Sequence, residues 1–236
     1  MDTVFWVLFV VLCAAVLALA VLYVLAQRDN GGPCPRSLAL KTAAATGYLF
    51  AAGSAVAVTG RPNAYVTGIL IALGLCWIGD FFLHLWQRQI YFVIGFLGFL
   101  GAHLVLIPTF VRETPDAALL TLPEALCILG INVFVFFFSK RIGTKFEGWL
   151  QIPIFLYCTI LSTMLCKAVI FGKALFLEGI PMRACFVILG AALFLCSDFS
   201  LAILLFNEKY KKNLRLNLFM AITYFSAVLL FAASIF

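Results

Sequence analysis

Few residues of this chain carry charge: Asp, Glu, Lys and Arg make up 11% of its 236 positions, against roughly 25% in a soluble globular domain. That shortage excludes a surface facing water on all sides, because a soluble fold needs polar groups to cover it. Histidine is nearly absent too, with only His84 and His103, and no CxxC or CxxH spacing joins the eight cysteines. Neither a zinc site nor a disulfide framework is expected from such spacing. The apolar/polar alternation that marks a membrane β-barrel is missing. The net charge of +6 lacks a basic stripe with interleaved aromatics, so nucleic acid is not an expected partner.

What remains is apolar. Hydrophobic residues reach 65% and the mean hydropathy is +1.13. Eight runs approach the length of about 20 residues that a spanning helix needs. They cover 4–26, 38–58, 64–86, 90–111, 117–138, 149–171, 183–206 and 214–235. Short breaks such as Gly31-Gly32-Pro33, Gly60-Arg61-Pro62-Asn63, Thr114-Pro115-Asp116 and Lys209-Tyr210-Lys211-Lys212 separate them. Backbone in lipid must satisfy its own hydrogen bonds, so helices are the expected solution. The predicted fold is an all-α integral membrane bundle of eight transmembrane helices, forming a single domain over 1–236. Its first run follows Asp2 rather than a basic region and reads as a retained helix, not a signal peptide.

The 16 Lys and Arg are unevenly placed. Eleven flank loops 1–2, 3–4, 5–6 and 7–8: Arg28, Arg36, Lys41, Arg88, Lys140, Arg141, Lys145, Lys209, Lys211, Lys212 and Arg215. Four, Arg61, Arg112, Lys173 and Arg183, flank the opposite loops, and Lys167 lies near the end of helix 6. The positive-inside rule then places the first set in the cytoplasm and both termini on the non-cytoplasmic side. Contact with anionic lipid headgroups is expected of the same cations.

Two acids fall well inside predicted spans, Asp80 in helix 3 and Asp198 in helix 7. A central Asp costs about 2.5–3.5 kcal/mol to insert, so each marks either a working site or an interhelical lock. Both sit in a small-Asp-Phe-x-Leu pattern, Gly79-Asp80-Phe81-Phe82-Leu83 and Ser197-Asp198-Phe199-Ser200-Leu201, spaced by half the chain. A 4+4 parallel repeat would bring both to one depth, about 9–12 Å from the cytoplasmic helix ends at 1.5 Å per residue. Two carboxylates sharing a low-dielectric pocket divide labour, one holding a proton as acid while the other stays charged as base. This serves acid-catalysed bond cleavage with water activation, and equally a proton-coupled transporter.

Several weaker candidates surround the pair. His103 lies mid-span beside Gly101 and Ala102, which would let a helix come close, and reads as a partner of Asp80 or a contact for a polar substrate group. His84 follows Asp80 by one turn and is expected to be solvated. Lys41 at the mouth of helix 2 would meet a phosphate or serve only as an orientation charge. Lys167 is expected to snorkel outward. Tyr224 sits deep in helix 8, where its hydroxyl needs a partner. The 25 phenylalanines are read as packing residues.

The same residues carry a resemblance. Gly79 to Leu83, then Tyr91-Phe92-Val93-Ile94-Gly95 and Ala102-His103, resemble the first signature of the YhhN lysoplasmalogenase family. The stretch Gly190-Ala191-Ala192-Leu193-Phe194-Leu195-Cys196-Ser197-Asp198-Phe199-Ser200-Leu201-Ala202 resembles its second. Lys41, Tyr157, Met164 and Thr223-Tyr224 also fall where the family has such residues. The chain departs from the family pattern at Leu106, where Tyr is common, and at Val228, close to a usual Gln. The resemblance implies hydrolysis of the vinyl ether bond of lysoplasmalogens to a fatty aldehyde and glycerophosphoethanolamine or glycerophosphocholine. It implies Asp80 and Asp198 as the catalytic acids, with Lys41, His103, Tyr157 and Tyr224 binding the lysophospholipid. No metal or organic cofactor is implied. The transporter remains the alternative, and an endoplasmic reticulum membrane is favoured over a bacterial inner membrane.

Overall fold

The computed structural model describes residues 2–60, 63–114, 120–144, 148 and 151–236. Arg61 and Lys145 among the orientation charges, the turn residues Pro62, Pro115 and Asp116, and the expected starts of helices 5 and 6 lie outside these residues. Among the described residues there are eight helices and no strand: α1 (Asp2–Asp29), α2 (Pro35–Thr59), α3 (Ala64–His84), α4 (Gln89–Arg112), α5 (Leu122–Ile142), α6 (Gln151–Leu177), α7 (Pro181–Phe206) and α8 (Leu214–Ala233). All eight are long and apolar enough to cross a membrane, as in a multi-pass membrane protein.

Local chemistry sets the ends. At α2 the Cys34 sulfur accepts from the Ser37 amide and the Ser37 hydroxyl accepts from the Cys34 amide, with Pro35 in the first turn. Thr121 and Glu124 form the same reciprocal box at α5. Gly143 ends α5 at φ 77°, a left-handed conformation that glycine adopts without a Cβ clash. Because the basic pair Lys140-Arg141 is compatible with a last helical turn, α5 runs four residues beyond its predicted end. Likewise α6 continues to Leu177, past Lys173, whereas α3 stops at His84 rather than at 86.

Seven helices close a ring in which neighbours are α1–α2–α3–α4–α6–α7–α8, with α8 returning to α1 and also touching α2 and α3. Helix α5 stands outside it and packs against α6. The close seam of α3 on α4 rests on glycines other than the one expected from sequence. Gly101, expected to admit a neighbour, would carry a Cβ no nearer than 3.4 Å to the Leu75 side chain. The close approach is at Gly95 and Gly98, where a Cβ would lie 2.6 Å from the Leu83 amide nitrogen and 2.9 Å from that of Gly79. Backbone cannot step aside as a side chain can.

Gly95→Ala is expected to destabilise the bundle by about 1–3 kcal/mol through overpacking. Gly74→Ala, where the added carbon meets nothing within 4 Å, should be nearly neutral. Thermal unfolding of the two variants in one detergent checks this, and equal melting temperatures would contradict it.

Candidate active site

A stripe along α2 builds the first polar cluster. Ser37, Lys41 and Tyr48 are spaced by four and seven residues, so they share one helix face. That face meets Asp80 of α3. The Lys41 Nζ lies 3.1 Å from Asp80 Oδ1, and the Tyr48 hydroxyl donates to Asp80 Oδ2 at 3.3 Å. From α8, Tyr224 donates to the same Oδ2 at 2.5 Å. Asp80 is 1% exposed, so a cation and two hydroxyls replace the water it has lost. The Lys41 ammonium also stands 6.0 Å above the Tyr23 ring of α1.

One turn further along α3, His84 departs from expectation. It is 4% exposed rather than solvated, with Ser37 Oγ 3.0 Å from its Nε2 and Gln27 Nε2 3.5 Å from its Nδ1. The break between α1 and α2 is short enough to fold Gln27 and Ser37 over it. Lys167 is likewise corrected: it is 3% exposed and pairs with Glu124 of α5 at 2.6 Å instead of reaching for the interface.

The second cluster gathers on Asp198 of α7. Tyr157 of α6 donates to Asp198 Oδ2 at 2.5 Å. His103 Nε2 of α4 lies 3.3 Å from that oxygen and 3.1 Å from the Tyr157 hydroxyl. His103 thus serves Asp198 and not Asp80. Both contacts fall on Oδ2 and leave Oδ1 engaged by neither. His103 is fully buried, and its Nδ1 has no hydrogen-bond partner among the described residues.

Asp198 opens on a cleft of about 290 Å³ between α4, α6 and α7. Phe92, Phe96, Ile154, Leu201 and Leu205 are among its walls, and Asp198 is the one charged group lining it among the described residues. Tyr157 lines it too; Asp80, Lys41 and Tyr224 do not. The two acids also differ along their helices. Four residues separate Asp80 from the end of α3 and eight separate Asp198 from the end of α7, roughly 6 and 12 Å.

Phenylalanine, read from sequence as packing alone, is what stands between the clusters. Phe99 lines the cleft and packs edge-on against Tyr224 at 5.7 Å between ring centroids. Phe194 touches His103 at 4.7 Å and Tyr224 at 5.5 Å. Gly79, the small residue preceding Asp80, has no room for a Cβ because the Phe99 ring would lie 2.8 Å from it. Cys76, one turn before Asp80, is within electrostatic range of both carboxylates. Tyr48 went unnoticed in the sequence, although its seven-residue offset from Lys41 was a signal for it. Leu106 and Val228, the two departures from the family pattern, are fully buried in the apolar core.

Among the described residues no group of three His, Cys, Asp or Glu converges as a metal site would require. The arrangement sets the Asp198 carboxyl group, with Tyr157 and His103 on one of its oxygens, against the wall of an apolar cleft.

Lys41→Met is expected to destabilise the protein by about 3–5 kcal/mol at neutral pH, since it strands a buried carboxylate. The double variant Lys41→Met/Asp80→Asn should recover part of that loss. A double variant no more stable than Lys41→Met, measured by thermal unfolding, would refute the pairing.

A family model described as the YhhN family matches residues 37–235. No curated protein and no solved structure matches the chain.

Proposed function

The chain belongs to the YhhN family, and from that premise we propose that it is a lysoplasmalogenase acting on the vinyl ether bond of its lysophospholipid substrate within the membrane. The observation that carries this reading is the apolar cleft whose single charged lining group is Asp198. A long alkenyl chain needs such walls, and the bond to be broken needs an acid at their inner end.

The reaction adds water across R–CH=CH–O–R′ and yields R–CH₂–CHO and R′–OH. Asp198 gives its proton to the vinyl carbon remote from oxygen, which leaves an oxocarbenium ion. Hydrogen bonds from Tyr157 and His103 to Oδ2 hold the resulting carboxylate. That carboxylate then takes a proton from the attacking water, and the hemiacetal collapses with proton transfer to the departing glycerol oxygen. Asp80 is enclosed by Lys41, Tyr48 and Tyr224 behind Phe99. It acts by holding Tyr224 against the Phe99 ring that lines the cleft, not by touching the substrate. In this reading the two acids have unequal duties, and Lys41 and Tyr224 position Asp80 instead of binding the headgroup. Every step balances without a cofactor.

The eleven-to-four bias of cations favours both termini on the non-cytoplasmic side, and the setting proposed is an endoplasmic reticulum membrane. Fractionation against a resident marker checks the latter.

Purified protein should release aldehyde from a lysoplasmalogen. Asp198→Asn should lower kcat by about 10²–10⁴, the usual worth of a general acid, and Asp80→Asn should lower it less. Ala202→Trp, which fills the cleft, should raise KM. Folded Asp198→Asn with full turnover would sink the mechanism. Substrate flux into vesicles without aldehyde would favour a proton-coupled carrier instead.

A further inference from the structure

A second hollow, apart from the Asp198 cleft, lies at the base of the bundle where α5, α7 and α8 meet. It measures about 400 Å³. Phe138 of α5, Ile203 of α7 and Phe219 of α8 are among its apolar walls, while Tyr210, Asn213 and Arg215 line it where the chain turns from α7 into α8. Its base is anchored: the buried Asn207 side chain donates to the Ile142 carbonyl at 2.9 Å and to Thr144 Oγ1 at 3.4 Å, joining the ends of α7 and α5. Asn213 caps α8 by accepting from the Leu216 amide at 3.1 Å.

Charge around this groove is lopsided. Lys209, Lys211 and Lys212 occupy the α7–α8 connection and Lys140 and Arg141 the last turn of α5. Glu208 is the one acid in that connection, and Lys211 already pairs with it at 3.0 Å. Arg215 makes no ion pair with any described residue. A guanidinium without a counterion, set over apolar walls at the start of a helix long and apolar enough to cross a membrane, matches a phosphate diester carrying acyl chains. The surplus of cations further favours a headgroup with net negative charge over a zwitterionic one.

We propose that this groove is a binding site for an anionic phospholipid of the leaflet that the α7–α8 connection meets. Arg215 holds the phosphate, with the Tyr210 hydroxyl beside it, and an acyl chain runs along Phe138, Ile203 and Phe219. Bound there, the lipid reinforces the Asn207 link between α7 and α5 and ties both to α8. The site does not depend on the proposed hydrolase reaction, because its ligand and its residues are separate from those of the Asp198 cleft.

The test uses the full-length protein with equimolar phosphatidylserine and phosphatidylcholine, read by native mass spectrometry. Wild type should retain phosphatidylserine at least fivefold over phosphatidylcholine, and Arg215→Gln should abolish that preference. Ile203→Trp, which blocks the groove without changing charge, should remove the bound lipid even if Arg215→Gln fails to fold. A photoactivatable phosphatidylserine should label peptides within 203–219 or 138–142. Equal retention of the two lipids by wild type, undiminished preference in folded Arg215→Gln, or labelling confined to helices other than α5, α7 and α8 would each overturn the proposal.

Discussion

A carboxylate cannot stay charged inside a greasy bundle unless something takes the place of water, and at Asp80 three side chains from two other helices do so. Lys41 from α2 supplies the opposite charge, and Tyr48 and Tyr224 supply hydroxyl donors. The requirement reaches well beyond one residue. It brings α2, α3 and α8 to a common point, and α8 is the helix that closes the ring. It also holds the Tyr224 ring against Phe99 and Phe194, which form the back of the second cluster. A buried ion pair of this kind adds little net stability over an apolar substitute, but losing one member is costly. Its value is in specifying which helices meet.

Against that locked group, Asp198 is the acid left with freedom. Its partners are neutral side chains or a histidine, both bonds fall on one oxygen, and the other side of the residue borders an apolar cleft. The proposed reaction uses this difference: Asp80 fixes the frame behind the cleft, and Asp198 is the acid that meets the substrate. The similar motifs around the two acids conceal this difference, because it arises from what the neighbouring helices bring and not from the five residues of either motif. The halves of the chain are unequal in the same way, since α1 packs against both α2 and α8 whereas α5 leans on α6.

The electrostatic pairings elsewhere follow a single rule. Lys167 finds Glu124 and His84 finds Ser37 and Gln27 within the protein, although each was expected to seek the interface. A long cation snorkels when lipid surrounds it. When a neighbouring helix offers a carboxylate at the same depth, the internal contact replaces the journey to water. Lys167 on α6 faces α5 at the first turn, where Glu124 also caps the helix, so one acid serves two purposes.

From its sequence alone this chain determined the number and approximate span of its helices, because lipid allows the backbone no other solution and runs of apolar length can be counted directly. It also singled out Asp80 and Asp198, because charge inside an apolar run is conspicuous wherever the helix ends up. Tertiary structure alone decided who answers each acid. That Lys41 and Tyr224 go to Asp80 while His103 and Tyr157 go to Asp198, and that Phe99 and Phe194 divide the two, depends on helix rotation and on the glycine seam between α3 and α4. Those are set by interhelical packing between residues far apart in the chain, and in a sequence where nearly every face is apolar no periodicity announces which face turns inward.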